Sequence, residues 1–128
     1  MTPDSPNGKG ILVAQDLISS ERSVIDPHDA EKTDPDIDED RLVWTDLRNG
    51  GRVPDRFTFI NADIYLYDFT KDIVVQLTSD PSNQFWPRIR GRWVIYLDQR
   101  WGDDDVTAFD LCTLDIYKDD PMCAAGKK

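Results

Sequence analysis

Two pairs of opposite charge recur at one interval. Asp46 and Arg48 stand two residues apart, and Asp98 and Arg100 repeat the pair 52 residues further on. Each pair follows an apolar run. Such a pair can belong to a ring of ligand-binding groups, one per repeat. It can equally be structural, with the aspartate accepting turn N–H groups and the arginine bridging to it. Recurrence in both copies favours the structural reading, because structure repeats more readily than chemistry. Asp63 with Asp68, and Asp115 with Asp120, bracket a further apolar segment and are expected to cap turns.

Other residues that could do chemistry carry less. Asp34, Asp36, Asp38 and Asp40 alternate through DPDIDED, as in an oxygen-ligand calcium loop. That loop needs glycine at its sixth position and a bidentate glutamate at its twelfth, where this chain has Glu39 and Thr45. The expectation is therefore no metal and no cofactor, with calcium a weak alternative. Asp103, Asp104 and Asp105 read as a solvated acidic loop tip, with weak cation or partner binding as the alternative. His28 is the only histidine and has no nucleophile or second ligand beside it in sequence. No G-x-S-x-G, H-E-x-x-H, phosphate loop or C-x-x-C is present, so no enzyme is expected. Of the four tryptophans, Trp44 lies in a strong strand and is expected in the core. Trp101 opens a loop and is the best exposed aromatic anchor for a partner. Cys112 and Cys123 are the only cysteines, and an oxidising compartment would let them pair.

The bulk composition narrows the function classes. The net charge is −10, from 25 acids against 15 bases, which argues against nucleic acid and against anionic lipid. No segment approaches the roughly 20 apolar residues of a membrane span. The first ten residues show no basic region followed by an apolar one, so no signal peptide is visible.

The elements that must position these residues repeat with the same step. Without gaps, residues 11–76 slide onto 63–128. Pro35 meets Pro87, Ile37 meets Ile89, Phe57 meets Phe109, and Asp63-Ile64-Tyr65 meets Asp115-Ile116-Tyr117. A fixed period of this length signals a repeat architecture. Short apolar runs bounded by Asp, Pro, Gly and Ser are strands and turns. Strands are expected at 11–16, 22–26, 35–37, 41–46, 63–68, 73–78, 87–90, 93–98 and 115–117, with Pro35 and Pro87 opening theirs. In DIYLYD, Ile64 and Leu66 alternate with Tyr65 and Tyr67, so the strand offers bulk to both faces. Residues 49–62 and 101–114 are read as two equal loops, each pinned by Phe57 or Phe109. Gly91 suits a positive φ, and with Glu39 at its counterpart the two turns are expected to differ.

Four short antiparallel strands per repeat is the layout of a β-propeller blade. One complete blade spans about 35–78, partial blades span 11–26 and 87–120, a disordered tail covers 1–10 and a C-terminal tail 121–128. The fold class is all-β, an incomplete propeller. The residues PRIRGRWVIYLDQR (87–100), DIYLYD (63–68) and TSDPSNQ (78–84) resemble the repeats of TolB-like β-propellers of the bacterial cell envelope, over roughly residues 11–120. The resemblance implies a periplasmic or extracellular, non-catalytic interaction or scaffolding module with a protein partner. It departs from the usual pattern of about six blades and a short second connection. A self-assembling ring of three two-blade chains binding a small ligand or carbohydrate is the second reading. A propeller segment of a hydrolase is the third.

Overall fold

The computed structural model describes residues 11–26, 28, 30–53 and 58–125. Three antiparallel sheets follow one another. The first is a hairpin of β1 (Leu12–Gln15) and β2 (Arg22–Ile25). The second contains β3 (Lys32–Asp38) and β4 (Arg41–Asp46). A small hairpin, β5 (Gly51–Arg52) and β6 (Phe59–Ile60), interrupts the chain before β7 (Asp63–Asp68) and β8 (Ile73–Gln76) complete the second sheet in the order β3-β4-β7-β8. The third sheet holds β9 (Gln84–Arg90), β10 (Trp93–Asp98) and β11 (Asp105–Asp110). Two 3₁₀ turns, Leu111–Thr113 and Asp115–Tyr117, and a short helix α1 (Pro121–Ala125) follow. This is an all-β incomplete propeller: a half blade, a full blade, and a blade lacking its fourth strand.

The second sheet is packed on both faces, as the alternation in β7 requires. Leu12 and Ile25 of the hairpin pack on Trp44 and Tyr65. On the other side Val43, Ile64 and Leu66 meet Ile89, Val94 and Tyr96 of the third sheet. Successive side chains of a strand point to opposite faces, so one six-residue strand serves two cores. Leu111, Tyr117 and Cys123 of the C-terminal segment join the second core. The segment is tied by a Cys112–Cys123 disulfide, and Tyr117 donates its hydroxyl to Asp68 at 2.6 Å.

Several expectations change. Asp115–Tyr117 is a 3₁₀ turn, and the third strand of the last sheet is Asp105–Asp110. The step of 52 holds from β3 and β4 to β9 and β10, but β7 maps onto β11 at a step of 42. Asp-x-x-x-x-Asp occurs at 63/68 and again at 105/110, in matching pairing registers. The gapless slide follows a second Asp-Ile-Tyr instead, so Asp115 and Asp120 are not the counterparts of Asp63 and Asp68. Residues 101–114 are thus not one loop: they contain β11. Only the second sheet carries the long connection, and it holds β5 and β6. Phe109 lies in β11, packed against the core, while Phe57 lies outside the described residues.

Pro35 and Pro87 sit inside β3 and β9, not at their starts. Each follows a residue at positive φ, Asp34 (56°) and Trp86 (55°), where the pairing register shifts. Such bulges accommodate a proline within a strand. The Glu39 and Gly91 turns, expected to differ, have the same backbone sense, with φ of 54° and 57°. Neighbouring bonds hold the strained glutamate turn: Phe69 N donates to Asp40 O at 2.8 Å and Thr70 Oγ1 to Asp40 Oδ2 at 2.9 Å.

Candidate functional site

The recurrent Asp–Arg pairs close the ends of β4 and β10. Asp46 is fully buried and accepts from Trp44 Nε1 (2.9 Å), Arg48 N (2.8 Å) and Arg48 Nε (2.9 Å). Arg48 also reaches Asp26 of the preceding sheet and lies 4.0 Å from the Tyr65 ring centroid. Burial pushes the Asp46 carboxyl up, but the bonds from Arg48 and Trp44 outweigh it and hold it below its ordinary value. Asp98 is likewise buried and accepts from Arg100 N (3.0 Å), Arg100 Nε (2.8 Å) and Gln84 Nε2 (3.3 Å). Arg100 lies over the Trp101 ring at 5.2 Å.

The strand-bracketing acids have separate tasks. Asp63 is buried, accepting from Asn49 Nδ2 (3.0 Å) and Thr78 Oγ1 (3.4 Å), and burial pushes its carboxyl up. Asp68 accepts from Lys71 N (2.9 Å) and Tyr117. Asp115 is exposed in its 3₁₀ turn. Asp103, Asp104 and Asp105 are exposed around the β10–β11 connection, with Asp104 taking a bond from Gln99 Nε2 at 2.8 Å. Among the described residues no cluster of His, Cys, Asp or Glu is arranged to hold a metal. Trp101 is exposed on the same connection.

Sequence reasoning missed the first of two further features. First, Asp36 and Asp38 reach across to the third sheet, where they accept the backbone N–H of Ile89 (2.8 Å) and Gly91 (2.6 Å). The alternating acids are thus in part a clamp between sheets. Their counterparts 52 residues on are Arg88 and Arg90, both exposed. Second, the outer face of the third sheet is uncovered. Trp93 pairs with Arg90, and Ile95 with Arg88 and Ala108; Leu97 pairs with Val106. Cross-strand partners share a face, and this one exposes Trp93, Ile95, Val106 and Ala108 beside the two arginines. The signal was available: Ile95 stands where Val43 stands in the second sheet, yet Ile95 is 44% exposed and Val43 0%.

No protein-family model matches the chain, and a search of curated proteins finds no match. Among solved structures it is similar to TolB from Acinetobacter baumannii, at 22% identity and a TM-score of 0.56. The match covers 78% of this chain and 26% of that one, so the chain spans about a quarter of that protein's length. At this identity the likeness is one of fold, and the fold is TolB-like. No helix among the described residues is long and apolar enough to cross a membrane.

Proposed function

We propose that the chain is a non-catalytic protein-association module, built of rigid propeller sheets, which works by stacking its terminal sheet onto a further propeller sheet. One observation carries the reading. Val43, Ile64 and Leu66 form the face by which the second sheet packs on the third. Their positional counterparts Ile95, Val106 and Ala108 form an open face of the same kind, with Val106 74% exposed. Contiguous apolar surface of this sort marks an interaction site. The arginine pair specifies the partner further. Where Asp36 and Asp38 meet backbone N–H groups, Arg88 and Arg90 call for carboxylates on the inner strand of the incoming sheet. The exposed Trp101, with Asp103, Asp104 and Asp105, extends this end of the molecule. The disulfide supports an oxidising compartment, in keeping with a periplasmic or extracellular envelope protein.

The test is the molar mass in solution, by light scattering on a sizing column, for wild type and Ile95→Asp. The wild type is expected to associate with rising concentration and the variant to stay near 14.7 kDa. A discrete species near three times that mass would identify copies of this chain as the source of the incoming sheet. A wild type that remains monomeric and binds no hydrophobic dye would overturn the reading.

A further inference from the structure

Three of the four alternating acids have structural partners. Asp36 and Asp38 clamp the third sheet, and Asp40 takes the Thr70 hydroxyl. Asp34 differs: its Oδ2 is sealed from solvent with no donor among the described residues. A buried carboxylate oxygen without a donor is costly and calls for an explanation. Its repeat counterpart is Trp86. Both precede a proline, and both are held at positive φ by a bulge. Bulges re-aim side chains, and strained backbone clusters at functional sites. Here the two bulges bring Asp34 and Trp86, from adjacent sheets, to the lining of one pocket.

The pocket has a volume of about 450 Å³, within the usual small-ligand range of roughly 300–1,000 Å³. One wall comes from the β5–β6 hairpin, the insertion that the third sheet lacks. It contributes Phe59 and Arg52, whose guanidinium lies 5.0 Å from the Phe59 ring centroid. Asn83 and Gln99, bonded to each other at 3.0 Å, line the far side. Trp86 is more than half exposed, leaving ring surface available. One carboxylate and one guanidinium give the lining opposite charges, which suits neither a simple anion nor a simple cation. Arg52 is paired with Glu31 through one nitrogen, and a guanidinium carries five N–H donors.

We propose that this pocket binds a neutral saccharide, with the Trp86 ring against the apolar face of a sugar, the Asp34 carboxyl rotating its sealed oxygen into the pocket to accept hydroxyl protons, and Arg52 donating to the sugar oxygens. Each polyol hydroxyl is both donor and acceptor, which matches the mixed lining. Tryptophan supplies a large flat apolar surface. Trp93, Ile95, Val106 and Ala108 of the stacking face do not line this pocket.

The test uses the whole chain and a panel of probes: glucose, galactose, N-acetylglucosamine, cellobiose and chitobiose, followed by tryptophan fluorescence and saturation-transfer NMR. At least one is expected to bind saturably. Trp86→Ala and the nearly isosteric Asp34→Asn should each weaken it about tenfold or more. Trp86→Phe should keep part of the affinity, and Ile18→Ala, exposed on the β1–β2 turn and outside the pocket, all of it. Circular dichroism confirms that each variant is folded. The proposal fails if no saccharide saturates at millimolar concentration, or if folded Trp86→Ala and Asp34→Asn bind like the wild type. It also fails if arginine methyl ester or inorganic phosphate binds the pocket in preference to every sugar.

Discussion

The second and third sheets start from the same plan and end differently. Their first two strands lie at a constant step, with the same bulge and the same positive-φ turn. Yet the second sheet is covered on both faces and the third on one. Ile37 and Ile89 make the point in reverse. They occupy one position in the repeat, but Ile37 is 57% exposed and Ile89 5%. Ile89 lies under the clamp of the sheet before it, whereas the half blade of β1 and β2 offers Ile37 no such inner strands. Position in the repeat therefore sets which way a residue points, and the neighbouring sheet sets whether it is buried.

The largest expected effect contrasts Val43 with Ile95. Val43→Asp places an unpaired carboxylate in a closed core and should cost about 4 kcal/mol or more. Ile95→Asp, on the open face, should cost within about 1 kcal/mol. Urea denaturation of both variants checks this, and similar losses would show that the third sheet is covered after all.

A smaller contrast concerns the clamp. Asp36→Ala and Asp38→Ala should each cost about 1–2 kcal/mol, because the Ile89 and Gly91 N–H groups lose charged acceptors. Arg88→Ala and Arg90→Ala, at the same positions of the third sheet, should change stability within about 0.5 kcal/mol. The same unfolding assay serves, and a large loss from the arginine variants would mean that they bind something within the monomer.

The smallest effect lies between two acids that face each other across β4 and β7, Asp46 and Asp63. Asp46 is held low in the folded state, so its contribution is present above the unfolded carboxylate value of about 3.9 and is lost as pH falls through its folded value. Asp63 is pushed up, chiefly by burial, so its ionisation opposes folding above its folded value, a cost relieved as pH falls through that value. Carboxyl NMR titration should find Asp63 titrating above Asp46; the reverse order would mean that the Arg48 bonds do not outweigh the burial of Asp46.

Much of the fold is legible in the residues. The strong strands show as β-branched and aromatic runs, and the two-faced DIYLYD announces sheets on both sides. The error at β11 is instructive. DVTAFD (105–110) has weaker apolar bulk than DIYLYD, and Asp115-Ile116-Tyr117 copies the first three letters of β7 at the expected step. Local likeness misleads there because a strand is made by its partner. Residues 105–110 pair along the whole of β10, and residues 115–117 instead follow a 3₁₀ turn into the disulfide-tied segment. The candidate site was less legible. The exposure of Trp101 was legible from its loop context, whereas the Asp34–Trp86 pocket joins two residues 52 apart, from adjacent sheets.

From the sequence alone came the strand and turn alternation, the 52-residue step of the first two strands of each sheet, and the two-faced pattern of strong strands such as DIYLYD. Those are short-range properties, set by side-chain size, β-branching and turn chemistry. The tertiary structure alone decided which strand completes the last sheet, which apolar faces stay open, and that three of four alternating acids are engaged while Asp34 is left beside a tryptophan. These depend on pairing and stacking between distant segments, and burial is a property of the neighbour as much as of the residue.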